Sequence, residues 1–144
     1  MADLTTERDT PELALIQTIS ANEFPITENV TLYAGTFAAL VAGKLTNAGP
    51  GRTTLGRVER TVIGGPTFDA TKRVRVQAGV FEADGPALTL ADLPKRCRFT
   101  DNHTIELNVD GDCVVEGISE RGKPWVNAGL RALIAGIDAP DDVV

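Results

Sequence analysis

Few residues of this sequence could act as a nucleophile, a general base or a soft metal ligand. There is one histidine, His103, and there are two cysteines, Cys97 and Cys113. A Ser-His-Asp or Cys-His arrangement would have to use His103, which lies in the polar stretch 101–104. We expect it to be exposed in a turn between strands, without the shielded pocket that tunes the pKa of a general base. Zinc is not indicated, because the three side chains lack a close pair such as Cys-x-x-Cys.

Oxygen ligands occur at alternate positions in Asn108, Asp110 and Asp112, as at the start of a calcium-binding loop. The twelfth position of that loop would hold Ser119, where the pattern requires a bidentate glutamate. The dipeptide Asp110-Gly111 is also typical of a β-hairpin turn. The sequence therefore predicts a hairpin turn here, no metal site and no cofactor.

Pairs of carboxylates that hydrolyse glycosides can be far apart in a sequence, so a small hydrolase using Asp or Glu pairs stays open as an alternative. Aromatic residues make up only 5% of the chain, and there is a single tryptophan, Trp125. This composition supplies few rings for a cleft that stacks sugars. We interpret Trp125 as an anchor in the core or in an interface.

The stretch 32–45, LYAGTFAALVAGKL, could be a membrane segment, a phosphate-binding loop or two short strands. A membrane span needs about 20 apolar residues, and charged residues bound this run on both sides. A phosphate-binding loop has four residues between its glycines and a hydroxyl residue after its lysine. Here seven residues separate Gly35 from Gly43, and a leucine follows the lysine. We therefore predict strands at 30–33 and 36–41, with glycine turns after each.

The chain has 144 residues, the size of one domain, and a net charge of −6. Binding to duplex nucleic acid requires a basic stripe, so this charge argues against nucleic acid as a partner. The basic clusters at 72–75 and 95–98 are typical of a solvated strand face. No membrane partner is indicated. Without a secretory leader behind Met1, we expect synthesis in a reducing cytoplasm, with free thiols.

Residues 1–29 are rich in Thr, Glu and Asp, and their apolar residues occur singly or in pairs. Pro11 and Pro25 favour extended backbone around them. We predict an extended N-terminal arm over 1–29, followed by a β domain over 30–127 and by a short helix with an acidic tail over 128–144. Residues 1–24 are expected to be loosely held in the free protein. An arm of about 25 residues reaches roughly 80 Å when extended, enough to cross to a neighbouring subunit.

Beyond this arm, turn signals rich in Gly, Asn, Asp and Pro recur at short intervals. Between them lie alternating segments, clearest at 73–78 and 104–109, each with one apolar and one polar face. This spacing is typical of a small, mainly β fold, either a sandwich or a barrel. One helical turn is predicted after Thr89, with Asp92 at the capping-box position. A short C-terminal helix is predicted over 128–136.

The order of segments over most of residues 6–127 resembles that of the capsid decoration, or cement, proteins of tailed bacteriophages. The segments are TERDTP at 6–11, LYAGT at 32–36, LGRVE at 55–59, VRVQAGVF at 74–81, LTLADL at 88–93, FTDNHTI at 99–105, and Gly117-Ile118 followed by Trp125-Val126. The resemblance rests on the order of these segments and not on any single motif. Members of this kind often end near the strand with the tryptophan, whereas this chain continues to residue 144.

The resemblance implies a structural, non-enzymatic virion protein that binds the outer surface of the assembled capsid and stabilises it, often as a trimer. Its partners would be the major capsid protein and further copies of itself, and it would reach the virion surface after synthesis in the host cytoplasm. Residues 1–24 are then expected to become ordered on the capsid or against a neighbouring subunit. A β-rich phage tail or receptor-binding accessory module is an alternative, as is the acid-pair hydrolase. Candidate contacts with the capsid or a neighbouring subunit are Arg8, Leu13, Leu15, Ile16, Phe24, Trp125, Leu130 and Leu133.

Overall fold

The computed structural model describes residues 2–15 and 22–129, and their fold is mainly β. The strands, in chain order, are β1 (Glu12–Leu15), β2 (Asn22–Pro25), β3 (Thr31–Leu32), β4 (Phe37–Val41), β5 (Lys44–Asn47), β6 (Thr53–Val58), β7 (Val62–Ile63), β8 (Arg73–Gln77), β9 (Gly79–Glu82), β10 (Lys95–Phe99), β11 (Ile105–Leu107), β12 (Cys113–Ile118) and β13 (Pro124–Ala128). A single 3-10 turn, Leu90–Asp92, separates β9 from β10. No helix in the described ranges is long and apolar enough to cross a membrane.

Most of the strands belong to two antiparallel sheets. One has six strands in the order β1-β9-β13-β12-β10-β11, and the other has five in the order β2-β8-β6-β4-β5. β3 and β7 form a separate two-stranded ribbon. The prediction of a mainly β fold is confirmed. The barrel alternative is not, because neither large sheet closes on itself in the part of the chain that is described.

The alternation of side chains along the strands explains how each sheet acquires a buried face. In β8, Val74 and Val76 are buried whereas Arg73 and Arg75 are exposed, which is the period of two expected for a strand. The two valines belong to a buried apolar cluster formed mainly by the five-stranded sheet.

A second buried cluster connects the two large sheets through three phenylalanines. The ring of Phe37, on β4, lies 4.5 Å from that of Phe99 on β10 and 6.1 Å from that of Phe81 on β9, measured between centroids. All three side chains are almost completely buried. Removing such a ring costs about 3–5 kcal/mol, so these contacts are a main source of stability.

The two strands predicted within 30–41 and the turn predicted after Thr89 are present, although one strand is shorter than predicted and has a different partner. The strand predicted at 30–33 is shortened to β3, and it pairs with β7 and not with the strand that follows it. The strand predicted at 36–41 is β4. The turn after Thr89 is the 3-10 turn, in which the Asp92 carboxylate accepts hydrogen bonds from the N–H and the hydroxyl of Thr89.

The hairpin predicted at Asp110-Gly111 is wrong. β11 and β12 are not neighbours, because β10 lies between them and pairs with both. Of the alternating segment 104–109, only Ile105–Leu107 forms a strand. Residues 109–110 do form a turn, but the strand that pairs with both β11 and β12 is β10, which precedes them in the chain.

The described part of the segment 1–29 is not separate from the β domain. β1 pairs with β9 at one edge of the six-stranded sheet, and β2 pairs with β8 at one edge of the five-stranded sheet. The segment is extended, as expected, but residues 2–15 are not loosely held, because their backbone is bonded to both the sheet and the turns beside it.

At the other end of the domain, Ala128 is the last residue of β13, although it was predicted as the first residue of the C-terminal helix. The rest of the predicted helix and the acidic tail, residues 130–144, lie outside the described residues. So do residues 16–21.

Candidate docking surfaces

His103 is buried, which contradicts the expectation of an exposed turn histidine. Its Nδ1 lies 2.8 Å from Oδ2 of Asp84, and its Nε2 lies 3.1 Å from the carbonyl oxygen of Ala2. Both ring nitrogens are thus engaged within the chain. A reacting molecule could reach Nε2 only by displacing the N-terminal segment, so His103 is placed to hold structure and not to exchange protons with a substrate.

Asp84 is the centre of a cluster of cations. Arg8 Nη1 lies 3.0 Å from its Oδ2, and Lys123 Nζ lies 2.8 Å from its Oδ1. Burial raises the pKa of Asp84, but the hydrogen bonds from Arg8, Lys123 and His103 outweigh that effect and hold the pKa well below its ordinary value. Asp84 is therefore ionised at neutral pH and joins the N-terminal segment to the loops beside β11 and β13.

Glu82, two residues earlier on β9, is 1% exposed and forms an ion pair with Arg121. Burial raises its pKa, and the hydrogen bonds from Arg121 and Ser119 reverse this, so that the net shift is downward. A general acid of a glycosidase needs a carboxyl whose pKa is raised. Neither Glu82 nor Asp84 meets this requirement, because each is held ionised by a cation.

Cys97 and Cys113 lie directly opposite each other on β10 and β12, and both are free and buried. Burial raises the pKa of Cys97 to about 12, and it raises that of Cys113 well above its ordinary value. The thiols are consequently protonated at neutral pH and unreactive as nucleophiles.

The register of the strands explains why these opposed cysteines remain free. The N–H of Asn108 donates to the carbonyl of Arg96, so the even-numbered residues of β10 bond toward β11. Cys97 must then direct its own N–H and C=O toward Cys113. Residues opposed in this hydrogen-bonded position have Cβ separations toward the upper end of the range of about 4.5–5.5 Å, whereas a disulfide requires a Cβ separation of about 3.8 Å.

The N-terminal segment is fastened to the domain by several hydrogen bonds. The side chain of Asn102 accepts from the N–H of Leu4, and the hydroxyl of Thr10 donates to the carbonyl of Gly35. Gly35 has φ +87°, and a Cβ at this position would overlap the carbonyl oxygen of Arg8. Glycine is required here both by the backbone conformation and by the close approach of the segment.

Exposed apolar side chains cluster at two places on the domain. The first cluster, which we name the Pro94 surface, lies where β10 begins and β11 ends. Its members are Leu90, Pro94, Lys95, Arg96, Leu107 and Val109, and two shallow grooves of about 390 and 530 Å³ meet at Pro94. Leu90 is 74% exposed and Val109 is 85% exposed. Exposed apolar side chains that lie next to one another are typical of an interaction site, whereas isolated ones are common on any protein surface.

The second cluster, which we name the hairpin surface, lies at the turn between β4 and β5. It consists of Val41, Ala42, Lys44 and Phe68, beside a groove of about 300 Å³. Lys44 Nζ lies 4.4 Å from the centroid of the Phe68 ring and 3.3 Å from Oε1 of Glu28. The hairpin surface and the Pro94 surface share no residue and lie on different sheets.

The candidate contact residues inferred from the sequence occupy different environments. Arg8 pairs with Asp84 inside the chain, and its side chain is only 12% exposed. Phe24, on β2, packs against the cluster of the five-stranded sheet, and Trp125 is half-buried on β13 beside Gly117. Leu13 and Leu15 lie in β1. Ile16, Leu130 and Leu133 fall outside the described residues.

Sequence reasoning missed both exposed clusters. Val109 completes the apolar face of an alternating segment, so the sequence predicted it to be buried. Its position between Asn108 and Asp110, both turn-forming residues, was the available signal that the strand ends before it. For Ala42 the signal in the sequence was the neighbouring Gly43, a turn-forming residue. In the structure Ala42 has φ +52° and lies at the tip of the turn.

Comparison with models of known protein families found none that matches the chain, and no curated protein or solved structure gave a significant match. Among residues 2–15 and 22–129, no group of three His, Cys, Asp or Glu side chains is arranged to hold a metal ion.

Proposed function

We propose that this chain is a structural virion protein that binds the outer surface of an assembled phage capsid and stabilises it, with a β-sandwich as its body. It acts as a homotrimer, its partner on the lattice is the major capsid protein, and it is made in the host cytoplasm. The observation that supports this most directly is the presence of two separate exposed apolar surfaces on one small domain.

A decoration protein must meet two kinds of neighbour, because it contacts the shell and further copies of itself. Interfaces of this kind have an apolar centre with a polar or charged rim. The Pro94 surface and the hairpin surface both have this composition: Val109 lies beside Lys95, and Val41 lies beside Lys44. The net charge of −6 keeps the free protein soluble until it meets the shell.

The reach of the N-terminal arm to a neighbouring subunit, which the sequence suggests, is not part of this proposal for residues 2–10. Arg8 and Thr10 are bonded within their own domain: Arg8 pairs with the half-buried carboxylate of Asp84, and Thr10 donates to the carbonyl of Gly35. Releasing the segment would break both contacts, which favours the bound state of residues 2–10. The proposal therefore assigns the lattice contact to a preformed surface, which binds without the entropic cost of ordering a free arm.

A tail or receptor-binding accessory module would use the same exposed surfaces toward another partner, so binding to capsids separates the two functions. The acid-pair hydrolase has less support, because Glu82 and Asp84 are both held ionised by cations.

The test is to titrate the full chain onto purified capsids that lack it and to measure the amount that sediments with them. We expect saturable binding at a fixed number of copies per capsid. Val41→Asp should weaken binding at least about tenfold, since it places a charge in the apolar centre of the hairpin surface. The matched control is Ile63→Asp, at an apolar residue that is 64% exposed and belongs to neither surface.

The control variant should bind capsids as tightly as the unchanged chain. Binding that never saturates, or that falls equally in both variants, would contradict the proposal. Capsids saturated with the chain should also release their contents at a higher temperature than bare capsids.

A further inference from the structure

The Pro94 surface combines exposed apolar groups with free cations. Leu90, Leu107 and Val109 are 74%, 40% and 85% exposed. Lys95 and Arg96 line the groove between Pro94 and Val109, and neither forms an ion pair with any residue of the described ranges. In a chain with a net charge of −6, this groove is lined, among the described residues, by two cations and by no carboxylate. Glu116 lines the neighbouring groove and accepts a hydrogen bond from Asn127. The complement of the groove with the two cations is a segment that is both apolar and acidic.

The last fifteen residues of the sequence have this composition. Leu130, Leu133, Ile134 and Ile137 are spaced at i, i+3, i+4 and i+7, and Asp138, Asp141 and Asp142 follow them. The apolar residues match the exposed side chains of the Pro94 surface, and the three carboxylates match its two unpaired cations. No other stretch of this length in the sequence has four such apolar residues followed by a run of acids.

We propose that the Pro94 surface binds the C-terminal segment, residues 130–144, of a second copy of this chain. The inference rests on the proposed function, and it specifies the contact that would join the copies of the homotrimer. Each copy offers one surface and one segment, so the contact is head-to-tail. A head-to-tail contact closes into a ring when its rotation divides a full turn, and a rotation of about 120° gives a trimer.

The segment follows Gly129, the residue after β13, and Gly129 lies against Leu55 and Ala78. Asn127 on β13 pairs with Val114 on β12, and Val114 lines the larger of the two grooves of the Pro94 surface. Fifteen residues reach roughly 50 Å when extended, so the segment is long enough to meet the Pro94 surface of a neighbouring subunit. The hairpin surface, on the other sheet, stays free for the capsid lattice.

The test uses full-length variants with exchanged charges, followed by sedimentation equilibrium. Lys95→Glu with Arg96→Glu reverses the surface, and Asp138→Lys with Asp141→Lys and Asp142→Lys reverses the segment. Each variant should need at least about tenfold more protein for half-assembly, because like charges then face each other across the contact. A chain that carries all five changes should regain assembly. Val41→Asp, on the hairpin surface, should leave assembly unchanged.

An equal mixture of the two reversed variants identifies which copy supplies the segment. If the segment comes from a second copy, the mixture should form mixed oligomers, because the reversed surface of one variant matches the reversed segment of the other. A mixed trimer has two matched contacts out of three, so the mixture should assemble better than either variant alone and less well than the unchanged chain. The inference is wrong if the mixture stays dissociated and the chain with all five changes recovers thermal stability without recovering assembly. In that case the segment binds its own subunit. The inference is also wrong if neither reversal changes assembly.

Capsid binding by the same variants separates this inference from the proposed function. If the charge reversals do not change self-association and the variants bind capsids normally, only the inference is contradicted. A chain that assembles through the Pro94 surface but binds no capsid would remove only the proposed function.

Discussion

Replacing Asp84 with alanine should weaken the attachment of the N-terminal segment more than any other single change in the polar cluster. The carboxylate accepts hydrogen bonds from Arg8, Lys123 and His103, which come from three distant parts of the sequence. Without it, the guanidinium of Arg8, whose side chain is 12% exposed, would remain buried without a counter-charge.

The loss of stability in Asp84→Ala depends on how deeply Arg8 and Asp84 are buried. Removing one member of a fully buried ion pair costs about 3–5 kcal/mol. The side chain of Asp84 is 27% exposed, so solvent screens part of this effect, and we expect a loss of about 2–3 kcal/mol. Lys123→Ala is the matched control, because it removes a partner whose side chain is 41% exposed, and it should cost at most about 1 kcal/mol.

The pH dependence has a definite sign. The pKa of Asp84 is lower in the folded protein than its unfolded value of about 3.9. The stabilisation of the folded protein by the ionised Asp84 is therefore complete above about pH 4. It is lost as the pH falls through the lowered pKa that Asp84 has in the folded state. Asp84→Asn should differ most from the unchanged chain near pH 7, and the difference should shrink below about pH 4.

Urea unfolding at pH 7 and at pH 3 measures these differences as free energies of unfolding. The reasoning is refuted if Asp84→Ala costs no more than Lys123→Ala at pH 7, or if the effect of Asp84→Asn is the same at both pH values. Amide hydrogen exchange in residues 2–10 gives a local readout, and it should accelerate in Asp84→Ala before the sheets lose protection.

Two further predictions concern the glycines and the thiols. Gly35→Ala should destabilise the protein more than Gly43→Ala, because both residues have positive φ but only at Gly35 would a Cβ overlap the carbonyl of Arg8; equal melting temperatures of the two variants would show that the close approach has no energetic weight. Cys97 and Cys113 should remain free thiols when the protein is purified in air, and a non-reducing mass two daltons below the reduced value would contradict the register argument. Changing both cysteines to alanine should cost about 1–3 kcal/mol in urea unfolding, through lost packing and not through a lost cross-link.

The sequence could predict those features that depend on neighbouring residues. The alternation in β8 predicted which of its side chains are buried, and the capping box at Thr89 predicted the turn before β10. Both follow from local geometry, because side-chain direction and backbone capping are determined within a few residues.

Features that depend on distant partners could not be predicted in this way. His103 was expected in solvent because its sequence neighbours are polar, but Asp84 and the carbonyl of Ala2, nineteen and 101 residues away, enclose it. The hairpin at Asp110 failed for the same reason, since β10 separates the two strands. The exposure of Val109 likewise follows from where pairing with β10 stops, and no local pattern determines that point.

A three-dimensional reconstruction of capsids saturated with the purified chain tests the proposed function most directly. The proposal predicts added density outside the shell at symmetry-equivalent lattice positions, with three copies of the β domain around each occupied axis and the hairpin surface against the major capsid protein. A shell without added density under saturating conditions would contradict it. Density confined to the tail vertex would also contradict it and would favour the tail accessory module.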